Sequence, residues 1–467
     1  MNLQFTRRRQ FAAAVAIAAI AVSGGASLAG AQTQLPGPPI ALVHPEGPAA
    51  PPAVLTLQDA LDRAKQYDSQ FLAAVADADL AREDRVQAKA GLLPAISASV
   101  QYLGNSPNGV NPNGRFVSLD GVKMYRAWGV ARQELSPNVL RGTPLHRAQA
   151  LEAAAQARRE VASRGLLVTV TRSYYALVAA QRKYAAAQQA ALQASRFLDV
   201  TQRQQALGQV ARSDTVKAEL QYQQQQQAYR DALLAMDNAR LALAVLVSPA
   251  LDENFTVVDD LAAAPPLPPF TDVRTMAEQN NPDLRAASES LRAAGHDVQA
   301  AWNAFWPNVV IDAVYGIEAN EFALHSKIAA QPELGVLPNL GYFVTVNLTV
   351  PAWDWGSLRS KLHQSQTRER QAQVILTQAQ RQLLSNLYSM YNEALAARAS
   401  ADGLQRAAEL AVESLRLTNL RYEAGESTAL EVVDAQNTAV QARNAVDEAN
   451  QRYRIAVAEL QTLTGRF

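Results

Sequence analysis

The chain contains no cysteine, which excludes a disulfide framework, a thiolate metal site, a cysteine nucleophile and a lipid-modified N-terminal cysteine. An excess of one charge is missing as well. Lys+Arg 43 balance Asp+Glu 43, a formal net charge of +0, so nothing in the composition points to nucleic acid or to an anionic membrane surface. Aromatic residues make up 6% and charged residues 18%, but the 48% of hydrophobic residues is enough for a core and argues against wholesale disorder. Beyond the N-terminal region no stretch of 18 apolar residues occurs, so no transmembrane helix is expected. Two long stretches have no proline at all, and that absence organises the rest.

Residues 1–31 carry Arg7, Arg8 and Arg9, then the apolar run Phe11 to Val22, then small residues ending Ala29-Gly30-Ala31. A basic start, a short apolar run and an A-x-A-like end read as a cleavable secretory signal peptide, the run being well short of the ~20 residues that span a bilayer. Its removal leaves 40 basic against 43 acidic residues, a mildly acidic exported chain.

Of the 22 prolines, none lies in 145–248 or 352–467. Proline inside a helix costs about 3 kcal/mol, so these stretches, rich in Ala, Gln, Leu, Arg and Glu, are expected to be helical. A 4-3 spacing supports this: Leu166, Val170, Ser173, Leu177, Ala180, Tyr184, Ala187, Ala191, Ala194 and Leu198 in the first, Leu404, Ala408, Ala411, Leu415, Thr418 and Tyr422 in the second. Many of these seam residues are small, which favours close helix approach in a layered array. Each stretch is interrupted once, at Leu207-Gly208 and Ala424-Gly425, and should fold into a helical hairpin. A helix from 144 to 208 would be ~95 Å long, too long to bury itself in a globule.

The chain is also written twice. At an offset of 213, Leu92-Leu93-Pro94-Ala95 falls on Phe305-Trp306-Pro307-Asn308; at 217, Gly208 and Asp214 fall on Gly425 and Glu431, and Tyr174 on Tyr391. One duplicated unit results. The expected division is a signal peptide at 1–31, a Pro-rich segment at 32–53, a first repeat at 54–248, a Pro-rich linker at 249–270 and a second repeat at 271–465. The hairpins occupy about 145–248 and 357–465. Each repeat holds two β-like runs, 95–103 and 122–135, then 308–317 and 341–350, separated by turn-rich loops. Val309, Ile311, Ala313, Tyr315 and Ile317 alternate with mostly small or polar neighbours, whereas in the second run Arg126 and Arg132 share a face with Met124, Trp128 and Val130. Strands of this length suit an outer membrane, but four cannot close a barrel, so several chains must contribute. Two hairpins capping a water-soluble coiled coil is the alternative.

The order helix, two strands, helical hairpin, twice over, with Arg421-Tyr422-x-x-Gly425 and Glu431-Val432-Val433-Asp434-Ala435-Gln436 in the last hairpin, resembles the TolC-type outer-membrane efflux proteins across about 54–465. The resemblance implies a mainly α fold with a small β part: a homotrimer whose four strands per chain make a 12-stranded outer-membrane β-barrel, continued by a long periplasmic α-helical barrel. It implies as partners a periplasmic adaptor (membrane fusion protein), an inner-membrane efflux pump and outer-membrane lipid. The turns at Gly208 and Gly425 resemble the periplasmic tips where the adaptor is met. Glu431 and Asp434 match paired acidic rings at a constriction, where six carboxylates would attract cations. Ser213, Asp214 and Tyr422 fall on inter-helix gate contacts. Ser427 stands where the family has a gate arginine, so a hydrogen bond from Tyr422 to Asp214 is expected to remain as the latch.

No catalytic constellation, phosphate loop or cofactor site is visible, and His44, His146, His296, His325 and His363 are scattered, so no enzyme, metal or cofactor is read and transport energy must come from elsewhere. The run Gln223–Gln227 reads as a hydrated helix face. A periplasmic adaptor and a soluble coiled-coil structural protein are the rival classes; adaptors have one hairpin where this chain has two.

Overall fold

Helix and strand alternate in the same order twice. In the computed structural model, described over residues 52–104, 123–248, 254–263, 265–319, 322–325 and 339–465, the first half runs β1 (Ala53–Leu55), α1 (Leu57–Tyr67), α2 (Ser69–Ala90), β2 (Ala95–Gly104), β3 (Lys123–Glu134), α3 (Pro137–Leu140), α4 (Thr143–Ala206) and α5 (Arg212–Val247). The second runs β4 (Phe255–Val257), α6 (Phe270–Asn280), α7 (Pro282–Asn303), β5 (Asn308–Ala319), β6 (Leu340–Thr349), α8 (Ser357–Glu423) and α9 (Ala429–Thr464). The signal-peptide region, nearly all of the Pro-rich segment and most of the two loops between paired strands lie outside the described residues. The described residues belong to one compact unit, Ala49–Phe467.

The duplication extends to the caps. Asp68 ends α1 and caps α2, its side chain accepting from Phe71 N; 213 positions on, Asn281 ends α6 and caps α7, accepting from Leu284 N. Gly142 and Gly356, both in the left-handed region, are the N-cap residues of α4 and α8, where the chain passes from the sheet side into each long helix. α4 has 64 residues and α8 has 67, each about 100 Å at 1.5 Å per residue.

The helices pack through the small residues of their seams. Leu166, Val170, Leu177, Ala187, Ala191 and Ala194 of α4 are buried, as are Ala408, Ala411 and Tyr422 of α8, while Ser173, Ala180, Tyr184, Leu198, Leu404, Leu415 and Thr418 are half-buried. Thr171, Tyr174, Tyr175, Val178, Phe197 and Thr201 are buried beside the α4 seam, so its covered stripe is wider than one 4-3 line, as a helix with neighbours on two sides requires. One core gathers Leu55, Leu61, Val170, Tyr174, Leu177, Leu243 and Leu261; a second gathers Val273, Leu383, Leu387, Tyr453 and Leu460. Tyr174 and its repeat mate Tyr391 do the same work in each. The Tyr174 hydroxyl donates to Val258 O at 2.9 Å, and that of Tyr391 donates to Pro268 O at 3.0 Å, tying the inter-repeat linker to both hairpins. Arg182 reinforces the tie, pairing with Asp259 of the linker and Asp447 of α9, both at 2.7 Å.

β1 and β4 form a two-stranded parallel ladder, and β2, β3, β5 and β6 form one antiparallel sheet in that order. β6 begins and ends one residue earlier than the expected 341–350, because Thr349 already pairs with Asn308, the first residue of β5.

Candidate gate at the helical tips and the sheet above it

At both tips the chain leaves a long helix through the same turn. Gly208 (φ 71°) and Gly425 (φ 77°) are left-handed; Gly208 N donates to Gln205 O and Gln209 N to Gln204 O, while Gly425 N donates to Tyr422 O and Glu426 N to Arg421 O. Paired six-to-one and five-to-two bonds around a left-handed glycine are the Schellman arrangement, which satisfies the last carbonyls and halts the helix.

The helices that restart after the two turns differ. α9 opens with a capping box: Thr428 Oγ1 accepts from Glu431 N at 3.3 Å, and Glu431 Oε1 accepts from Thr428 N at 3.4 Å and from its hydroxyl at 3.1 Å. Ser427 donates to the other carboxylate oxygen at 3.1 Å, and Arg421 stands 3.8 Å from it. The Ser427 and Thr428 hydroxyls hold the Glu431 carboxyl below its ordinary range. In α5 the equivalent cap is Ala211, which has no side-chain acceptor, and Asp214 leans 3.7 Å from Lys217 instead.

Tyr422 is buried between the hairpins, its ring 5.2 Å from that of Phe197, in a cluster with Ala218, Ala429 and Val432. Its hydroxyl donates to Gln204 Oε1 at 3.0 Å, with Thr201 Oγ1 3.5 Å away. The expected bond to Asp214 is therefore absent: Gln204, on the facing helix α4, takes the proton. Ser213 is exposed and joins none of these contacts. Asp434 is exposed one turn beyond Glu431 and makes no hydrogen bond or ion pair with the described residues.

Behind the tip, Asn437 Oδ1 of α9 accepts from Gln221 Nε2 at 2.9 Å and Gln225 Nε2 at 3.1 Å of α5. Gln225 is thus a helix-to-helix contact, whereas Gln223, Gln224 and Gln227 of the same run are exposed. His146 and His296, distant in sequence, come together with ring centroids 5.7 Å apart, but no group of three or more metal-capable side chains occurs among the described residues.

At the opposite end of the helices, the strand registers sort the sheet into two faces. One carries Ile96, Val100 and Tyr102 of β2, Tyr125 and Ala127 of β3, Val309, Ile311, Ala313, Tyr315 and Ile317 of β5, and Tyr342, Val344, Val346 and Leu348 of β6. Apart from the register position of Lys123, opposite Gly104 at its end, no charged residue falls on it, and Ile96 (84% exposed), Val100 (81%) and Tyr342 (81%) are open to solvent. The other face carries Ser97, Ser99, Gln101, Thr345 and Asn347, with Arg126 donating to Glu318 at 2.9 Å and Arg132 3.9 Å from Asp312. The two arginines that blur the alternation of β3 thus share the polar face with carboxylates of β5. Tyr102, Tyr125, Tyr315 and Tyr342 lie on the apolar face; Trp302, Trp306, Trp353 and Trp355 stand exposed where the helices join β5 and β6. No helix among the described residues is long and apolar enough to cross a membrane.

The family model for outer membrane efflux proteins matches residues 273–466. The chain is 24% identical to the alkaline protease secretion protein AprF of Pseudomonas aeruginosa over 425 residues, 88% of this chain and 84% of that one. It is 23% identical to the outer membrane protein TolC of Vibrio cholerae over 416 residues, 88% and 90% of the two. The match to the outer membrane protein OprJ of P. aeruginosa, 25% identical, covers 55% of this chain and half the length of that relative. Among solved structures, the open-state MtrE outer membrane channel of Neisseria gonorrhoeae superposes with a TM-score of 0.73 at 22% identity, covering 88% of this chain and 89% of that one. The CmeC outer membrane channel of Campylobacter jejuni gives 0.72 at 18%, covering 88% and 85%.

Proposed function

We propose that this chain is a TolC-type outer-membrane efflux protein, similar as it is to that family over most of its length, and that three copies join their sheets into a 12-stranded barrel continued by a tunnel of long helices through the periplasm. The trimer is an outer-membrane exit duct. It passes solutes delivered by an inner-membrane pump, with a periplasmic adaptor seated at the tips around Gly208 and Gly425, and it is shut at those tips until engaged. Export through a signal peptide at 1–31 places it there.

The observation that carries this reading is the sheet. Among the described residues β2 and β6 are edge strands with no ladder on their outer sides, and the face that carries Ile96, Val100 and Tyr342 is apolar and exposed. In lipid each unpaired backbone group costs several kcal/mol, so such a sheet is stable in a bilayer only when its edges are paired by neighbours. The tyrosines on the apolar face and the tryptophans at the helix end are the aromatic residues expected at the two interfaces, and strands of 10 to 12 residues match an apolar band of about 25 Å. At the tips, three copies of Glu431 and Asp434 would ring one opening and draw cations.

The test is fractionation and mobility. The protein should sediment with outer membranes and, solubilised in mild detergent, migrate as a trimer whose gel mobility shifts on heating. A monodisperse monomer in detergent-free buffer, with no lumen by electron microscopy, would overturn the reading.

A further inference from the structure

The polar face of the sheet contains an apolar island. The registers place Ser99, Trp128, Gly316 and Gly341 in one row across the four strands, and Ser97, Val130, Val314 and Phe343 in the next. Trp128 stands edge-on to Phe343 (centroids 6.1 Å, 85°) and carries the Arg126 guanidinium over its ring at 5.1 Å. Val314 beneath is 7% exposed, while Phe343 is 46% exposed. Past Trp128 the row holds only glycines. A Cβ on Gly316 would run into the Ala127 carbonyl oxygen, so that position is bare by necessity; at Gly341 a Cβ would meet nothing, so open space remains beside the indole. The charges framing the island cancel: Arg126 pairs with Glu318 on one side, and Arg132 with Asp312 on the other.

A barrel lumen of this kind is ordinarily polar, and an exposed apolar patch rimmed by polar side chains marks a contact site. Resting on the trimeric reading above, we propose that Trp128 and Phe343, beside the bare ledge at Gly316 and Gly341, form a subsite on the barrel wall for an uncharged, planar aromatic part of the exported solute. The paired framing charges leave no net charge to recognise an ion, and an exposed ring edge beside an open ledge fits a flat apolar group. Twelve strands spaced ~4.8 Å and tilted ~40° give a backbone radius of about 12 Å, so wall side chains set what a passing solute touches.

The experiment uses caffeine, neutral and planar, as the probe. With Trp302, Trp306, Trp353 and Trp355 changed to Phe, Trp128 is the one remaining tryptophan. In the detergent-solubilised trimer its fluorescence should be quenched saturably by caffeine, and Phe343→Ala on that background should raise the midpoint about 3- to 10-fold, the worth of one aromatic contact. Quenching linear in caffeine, or a midpoint indifferent to Phe343→Ala, overturns the subsite. Should the four-fold variant fail to assemble, the comparison of the unaltered chain with Trp128→Phe decides equally: the saturable component must vanish. Failure of the unaltered chain to form a trimer instead overturns the duct itself, and gel mobility separates the two results.

Discussion

Tyr422 and Glu431 flank one tip turn and serve different neighbours. Tyr422 joins the second hairpin to the first by donating to Gln204 across the interface. A net contribution of about 0.5–1.5 kcal/mol is usual for such a bond, so removing it should raise open probability about 2- to 10-fold if it latches the gate. Tyr422→Phe and Gln204→Ala should therefore raise conductance in planar bilayers alike, and Asp214→Ala should not; a larger effect from Asp214→Ala would restore Asp214 as the partner. Glu431 instead closes its own helix, its carboxylate taken up by Thr428, Ser427 and Arg421. Its lowered pKa means that the cap's contribution is present above the ordinary glutamate range and is lost only as pH falls through the lower folded value, so mild acid leaves it intact. Asp434 lacks such partners. Reversal potentials in a salt gradient should thus show Asp434→Asn reducing cation selectivity more than Glu431→Gln, which keeps the capping geometry; equal losses would return the ring to both residues.

Among the elements, the sheet is where one atom decides most. A methyl group on Gly316 meets the backbone of β3, whereas one on Gly341 meets empty space. Gly316→Ala should abolish the heat-modifiable trimer while Gly341→Ala leaves it, as read on unheated gels of outer-membrane fractions. The long helices were legible in the sequence because proline and glycine punctuate chemistry that acts within one or two turns: the reversals fall at Gly208 and Gly425, where a left-handed residue is required. The two faces of β3 were not legible. Arg126 and Arg132 make sense only beside Glu318 and Asp312, 192 and 180 residues away, and no local pattern carries that register. Gln204 is not legible as the partner of Tyr422 for the same reason, lying 218 positions from it. Glu431 is different: Thr428-x-x-Glu431 is a capping-box signature visible in the sequence, so its part in starting α9 is legible locally.

At the scale of the molecule, duplication explains both the strength of the unit and its incompleteness. Two copies of one motif share a linker fastened by Tyr174, Tyr391 and Arg182, and their strands meet at the β3–β5 ladder in the middle of the sheet. The outer strands β2 and β6 remain, one from each copy, and they run antiparallel to one another through the chain of antiparallel pairings between them. In the proposed trimer, closure by rotation would therefore bring β2 of one subunit beside β6 of the next in the antiparallel sense that continues the sheet, and the same contact would repeat until the ring shuts. The absence of cysteine makes this directly measurable. Single cysteines placed in turn along β2, each combined with one along β6, should under oxidation give dimers and covalent trimers on non-reducing gels at a subset of pairings. That subset should move along both strands in opposite directions, the mark of an antiparallel ladder. Cross-linking that stops at dimers, or pairings that advance along both strands in the same direction, would rule out this closure.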